Sequence, residues 1–219
     1  MPFPRCKATL YDQGTRVPLA IRWGAKVKTA RKVSDFVSLC DLAPTFLEAA
    51  GLSRPEQMTG RSLMPILSSP RSGQIDAKRT FALTGMEKHV YLTPCRALRT
   101  KDFLYIRNFD AANWPTGKIA GHNPEYDFAA EPWPTERGAF SFNIDPSPSK
   151  QLLRLYGDDQ GVKDFASLAF QPHSNEELYD LRNDPEQLRN LAGDEAYSKQ
   201  QTQLKRQLDA ELIKSNDPR

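Results

Sequence analysis

The sequence predicts an α/β chain with a small antiparallel sheet and a terminal helix, and three observations lead there. An apolar run at residues 17–23 precedes a capped helical segment ending near residue 49; two alternating runs between 95 and 107 are spaced as a hairpin; and a short run at 177–181 leads into a helix with apolar residues about every fourth position. The 219 residues, 39% of them apolar and 10% aromatic, suffice for one large domain or two small ones.

Taken in order, Val17-Pro18-Leu19-Ala20-Ile21-Arg22-Trp23 lies between Gly14 and Gly24 and reads as a central strand buried in a sheet covered by helices. Asp35-Phe36-Val37-Ser38-Leu39 is a second extended run. Asp41 is placed to cap the helix that continues through Ala49, with Pro44 tolerated in its first turn and Gly51 ending it. From residue 53 to 78 the composition shifts to Ser, Pro, Gly, Arg and Gln, broken only by Ser62-Leu63-Met64-Pro65-Ile66-Leu67. That linker places a domain boundary near residue 78, with an α/β portion at 1–78 and a small α+β unit at 79–219.

Beyond it, Cys95-Arg96-Ala97-Leu98-Arg99-Thr100 and Phe103-Leu104-Tyr105-Ile106-Arg107 flank Lys101-Asp102 as an antiparallel hairpin. Residues 110–150 carry three Pro-rich clusters with Trp114 and Trp133, the pattern of a long ordered surface loop. The strand at 177–181 passes through the turn Asn183-Asp184-Pro185 to a helix at about 194–213. Ala196, Tyr197, Leu204, Leu208 and Leu212 should face the hairpin sheet.

Bulk chemistry excludes some function classes. Thirty Lys and Arg against 27 Asp and Glu leave +3, spread without a basic block, so neither nucleic acid nor a membrane surface is an expected partner. No apolar run reaches the roughly 18 residues of a membrane span. Cys6, Cys40 and Cys95 contain no C-x-x-C pair, which argues against a disulfide framework and a zinc site of the usual form. The opening Met1-Pro2-Phe3-Pro4-Arg5 has no apolar signal region, and the compartment stays open.

Three motifs carry a family resemblance. Lys7-Ala8-Thr9-Leu10-Tyr11-Asp12-Gln13-Gly14-Thr15-Arg16-Val17-Pro18 resembles the sulfatase segment K-x-x-x-Y-E-G-G-x-R-V-P. Asp41-Leu42-Ala43-Pro44-Thr45-Phe46-Leu47-Glu48-Ala49-Ala50-Gly51, followed by Gly60-Arg61-Ser62-Leu63, is similar to D-L-A-P-T-L-L-x-x-A-G. Glu177-Leu178-Tyr179-Asp180-Leu181 through Asp184-Pro185 to Asn190-Leu191-Ala192 resembles the closing E-L-Y-D-L-x-x-D-P-x-E-x-x-N-L-A. Asp12 stands for the usual Glu and Gln13 for the first Gly, departures that touch loop geometry more than chemistry. The chain is therefore identified as a member of the sulfatase family.

The resemblance implies the carboxyl-terminal part of an alkaline-phosphatase-like sulfatase fold that hydrolyses a sulfate ester or sulfamate of a sulfated sugar or glycan. In the complete family enzyme the reaction uses Ca2+ and a formylglycine made within C/S-x-P-x-R. That motif is absent here, since Cys6, Cys40 and Cys95 are followed by other residues, and no metal ligand stands at a family position. The chain is accordingly expected to be inactive alone, with the missing amino-terminal segment as a possible partner; a non-catalytic glycan-binding remnant and a miscalled reading frame are the alternatives.

Among the residues present, the resemblance makes Lys7 catalytic, an ammonium set against the sulfate, with a solvated surface lysine as the alternative. Gly85-Met86-Glu87-Lys88-His89 resembles the G-R-E-R-H of the N-sulfoglucosamine sulfohydrolases, which makes Glu87 and His89 substrate-binding residues; an ordinary strand edge is the alternative. The ending Asp217-Pro218-Arg219 resembles the G-D-P-R of the same subgroup. Arg16 is expected as a buried guanidinium bracing its turn, and Arg96 and Arg99 as solvated sheet positions rather than anion-binding forks. Tyr91 could also meet an anionic sugar. Trp114 and Trp133 could stack on a sugar or pin the loop, and His122 and His173 read as surface residues.

Overall fold

The computed structural model describes residues 5–114, 143–145 and 147–219. Its centre is a four-stranded antiparallel sheet in the order β1 (Phe81–Lys88), β2 (Leu92–Thr100), β3 (Phe103–Asn108) and β4 (Glu176–Asp180). The hairpin falls where alternation placed it, with Ala97 opposite Ile106 and Leu98 opposite Tyr105. β1 joins β2 as a further antiparallel strand that sequence periodicity did not reveal, its register broken between Met86 and Lys88.

Period-two alternation gives this sheet two apolar faces. One presents Leu98, Phe103, Tyr105 and Leu178 to Leu204, Leu208 and Leu212, which stand four residues apart on the long terminal helix. The other presents Cys95, Ala97, Leu104, Ile106 and Tyr179 to Leu10 and Tyr11. The helix was expected; the amino-terminal cover was not. Each buried leucine contributes about 1.5–3 kcal/mol, so both covers are substantial.

The helices in chain order are the single turn α1 (Asp12–Thr15), α2 (Leu42–Ala49), α3 (Met64–Ser68), α4 (Pro148–Leu155), α5 (Lys163–Phe170) and the terminal α6 (Ser198–Lys214). α2 carries Pro44 early and stops at Gly51, whose φ of +72° suits glycine. Asp41 precedes it, but its carboxylate does not cap α2. It accepts instead from the Ser38 and Arg61 amides and pairs with Arg79 at 2.7 Å. Arg79 is 2% exposed and also donates to the carbonyls of Phe36, Arg61 and Ser62. The segments on either side of residue 78 are thus fastened together by a buried ion pair with further hydrogen bonds, the condition under which such a pair holds.

Several segments depart from the structure that the sequence predicts. Residues 17–23 form no strand: among the described residues they have no ladder partner, and Val17, Leu19 and Ile21 are 55%, 45% and 39% exposed. Strand conformation needs a neighbour for its backbone groups, and Pro18 removes one donor. The run at 35–39 ends in a 3-10 turn, Leu39–Asp41, because Asp35 binds the Ile75 and Asp76 amides while Ser38 and Asp41 form a capping box. The expected loop at 110–150 lies mostly outside the described residues, together with His122 and Trp133; its last residues begin α4. α4 and α5 were not foreseen. No helix among the described residues is long and apolar enough to cross a membrane.

Candidate functional site

Lys7 stands on a tight turn that lies over the second face of the sheet. Arg5 and Ala8 adopt φ of +60° and +63°, unusual for residues with a Cβ, and such conformations persist only when the surroundings impose them. Inside the turn, Thr9 Oγ1 donates to the carbonyl of Cys6 at 2.7 Å or Arg5 at 3.0 Å. The Lys7 ammonium, 52% exposed, points outward to Asp145 Oδ2 at 2.6 Å. A pair this exposed is worth about 0–1 kcal/mol, so an incoming anion can displace the aspartate.

His89 lies in the turn between β1 and β2, and Asn143 Oδ1 accepts from the amides of Val90 and Tyr91 in that turn. Residues 143–145 therefore join the 89–91 turn at one end to Lys7 at the other. His89 Nδ1 is a buried ring nitrogen with no hydrogen-bond partner among the described residues. Glu87 points elsewhere: Arg219 and Arg96 hold its carboxylate at 2.5 and 2.7 Å, and their hydrogen bonds pull its pKa down to about 2. The Glu87 side chain nevertheless stays 42% exposed beside these two guanidinium groups. The structure brings Lys7 and the His89 turn onto one strip and leaves Glu87 in a separate ionic knot with Arg96 and Asp217.

That knot overturns the solvated reading of Arg96, which is buried and bridges Glu87 to Asp217 because the tail returns to β2. Arg99 likewise grips Asp12 through two bonds of 2.8 and 2.9 Å. Arg99, not Arg16, braces the α1 turn. Arg16 is exposed at the rim of a cavity of about 340 Å³ also lined by Asp12, Arg99, Lys101 and Glu186, since α1 turns its side chain outward.

His173 is no free surface residue. Its ring stacks on Trp114 with centroids 4.3 Å apart, and Nδ1 lies 3.0 Å from Glu177. Glu177, missed at the sequence level, is 3% exposed and accepts from the hydroxyls of Tyr11 and Tyr179 at 2.7 and 2.6 Å and from Asn108 Nδ2 at 2.7 Å. Burial works against its ionisation, but the His173, Tyr179 and Tyr11 contacts prevail and hold the carboxyl at about 2. Burial conversely pushes the Tyr11 hydroxyl well above its usual range, so it acts as a donor. One signal was available: Glu177 shares a strand face with Tyr179, an acid where β4 turns inward.

The fit to a metal is negative: among the described residues no group of three or more His, Cys, Asp or Glu side chains could hold an ion. Cys6 and Cys95 are buried, the latter pushed up to about 12 by burial, and exposed Cys40 lacks the modification motif. These residues offer neither calcium nor a formylglycine a place.

Against this geometry the comparisons decide the family. The model of the N-sulphoglucosamine sulphohydrolase carboxyl-terminal region matches residues 6–116, which include the Lys7 turn, α2, the Glu87 strand and the hairpin. The chain belongs to this family. An ulvan-active sulfatase of Formosa agariphila is 28% identical over 99% of this chain and 32% of its own length. Human N-sulphoglucosamine sulphohydrolase is 27% identical over 100% of this chain and 40% of its own. An N-acetylglucosamine-6-O-sulfatase of Bacteroides thetaiotaomicron is 25% identical over 97% and 28% respectively. Among solved structures, a protein in complex with its substrate D-glucosamine-2-N,6-O-disulfate aligns with 81% of this chain and 24% of that chain, at 21% identity and a TM-score of 0.47. This sulfohydrolase-family chain spans about a third of the length of the curated relatives it matches first.

Proposed function

We propose that this chain is the carboxyl-terminal part of a hydrolase of sulfated sugars, contributing Lys7 as the cation that meets the sulfate, with His89 and, from its own ion-paired position, Glu87 as residues that border the sugar. The observation that carries the reading is the Lys7 turn: a strained backbone, fixed over the sheet, projects one ammonium whose partner is a displaceable aspartate. The family and the names of its relatives, which refer to N-sulphoglucosamine, to N-acetylglucosamine sulfated at O6 and to ulvan, support the substrate class.

Chemically, an ammonium placed against a sulfate oxygen neutralises the charge that grows as the S–N or S–O bond breaks. Asp145 screens Lys7 until an anion arrives. His89 sits in the turn that Asn143 ties to the Lys7 strip, and a ring placed there is offered to a sugar hydroxyl. Calcium and formylglycine, where the complete family enzyme uses them, supply the nucleophile and the bound sulfate's polarisation; among the described residues no cluster fits the metal, and none of the three cysteines stands in the C/S-x-P-x-R motif. The chain alone should therefore bind without cleaving.

Turnover tests that division. Purified chain incubated with N-sulfoglucosamine or an aryl sulfate should release no sulfate above the uncatalysed rate. Sulfate release that disappears in Lys7→Ala would show that these residues catalyse by themselves and would sink the reading.

A further inference from the structure

We propose that Glu177 is a positioning residue for Lys7: from β4 it fixes the turn on which Lys7 stands, through the Tyr11 hydroxyl and the Arg5 guanidinium stacked on that ring. The inference rests on the sulfate-contacting role given to Lys7 above.

Four donors converge on one carboxylate. Oε1 accepts from Asn108 Nδ2 and faces His173 Nδ1, and Oε2 accepts from Tyr11 and Tyr179. With both oxygens used and almost no exposure, Glu177 is closed to substrate. Its effect has to pass through the groups it holds.

Those groups clamp both ends of the Lys7 turn. On the far side, the Tyr11 hydroxyl is fixed by Glu177, and the Asp12 amide donates to Gln187 Oε1 at 2.9 Å. On the near side, the Arg5 guanidinium lies 3.8 Å from the centre of the Tyr11 ring and donates to the Gln187 carbonyl at 2.6 Å. Lys7 sits between the two clamps, and among the described residues its own side chain adds the exposed Asp145 contact. Beyond the hydrogen bonds of Thr9 inside the turn, Glu177 on β4 and Gln187 in the loop that follows supply outside support to the strained backbone at Arg5 and Ala8. The closing motif, from Glu177 to Gln187, is thereby joined physically to the first motif, more than 160 residues away.

The test uses the 219-residue chain with Glu177→Gln, which offers one acceptor oxygen where the carboxylate offers two, and Tyr11→Phe, which removes the hydroxyl's contacts with Glu177 and His173 and keeps the ring under Arg5. Amide hydrogen exchange at residues 6–12 should accelerate by about tenfold in both, while Ala97, Leu98 and Tyr105 follow only the change in global stability. Affinity for N-sulfoglucosamine should fall to that of Lys7→Ala, and the double variant Glu177→Gln with Lys7→Ala should bind no worse than Lys7→Ala alone. Exchange that rises uniformly across the sheet, or a double variant that loses the sum of both single losses, overturns the proposal. If Lys7→Ala leaves affinity unchanged, the functional reading fails instead, and exchange at 6–12 still decides whether Glu177 holds the turn. Tyr11→Phe keeps the experiment decisive if Glu177→Gln does not fold.

Discussion

Gly14 has no room for a side chain. A Cβ there would sit 2.3 Å from the Cys6 carbonyl oxygen and 2.5 Å from that of Thr9, both backbone atoms of the Lys7 turn. Gly14→Ala should therefore push the turn off the sheet and cost about 2 kcal/mol, as forced overpacking does, measurable as a lower urea midpoint; an unchanged midpoint would mean the turn yields freely. Lys7 and Asp145 make the opposite case, an exposed pair that costs little to break. Asp145→Asn should tighten N-sulfoglucosamine binding up to about fivefold by removing the competing anion, while thermal stability stays within about 0.5 kcal/mol. Calorimetric titration of both proteins checks the sign. Lys7 was legible because its motif is contiguous. Glu177 and Asp145 were not, because each acts through a partner at least 138 residues distant, and Arg5 was not, because its stack on Tyr11 is completed by the Gln187 carbonyl 182 residues away; local pattern carries no trace of such pairing.

At the scale of elements, α6 was readable because period four is a property of one segment. Leu204, Leu208 and Leu212 are buried against Leu98, Tyr105 and Leu178 as the spacing required. Leu208→Ala should cost about 2–5 kcal/mol, the range for an emptied core leucine, and a denaturation midpoint barely moved would show that α6 is only loosely seated. The closing motif is equally local: Asp184 accepts from the Leu188 and Arg189 amides, and Asn190 from those of Leu178 and Ala192, which folds the chain back along β4. Residues 17–23 failed as a strand for the converse reason. Apolar content says that a segment can be buried, whereas a strand also needs a neighbour, and the described residues supply none. β1 escaped notice because its half-buried positions follow no clean alternation.

For the molecule as a whole, sheet and amino-terminal turn are one mechanical unit, so acid should weaken both together. Glu177 has a native pKa of about 2 against an ordinary 4.5, hence the unfolded chain binds more protons between those values. Stability from this group is full above about pH 4.5 and is lost as the pH falls toward 2, a swing on the order of 3 kcal/mol. Urea midpoints at pH 3 and pH 6 should differ accordingly, and Glu177→Gln should flatten the difference; equal slopes in the two proteins would place the acid sensitivity elsewhere. The central claim, that this family chain presents Lys7 to a sulfate, is tested most directly by titrating it with N-sulfoglucosamine and with unsulfated glucosamine. The sulfated sugar should bind more tightly, and Lys7→Ala should erase about tenfold of its affinity, the size of one charge-assisted contact, while leaving the unsulfated sugar unaffected. Equal affinity for the two sugars, or a Lys7→Ala protein that binds the sulfated one as well as its parent, would contradict it.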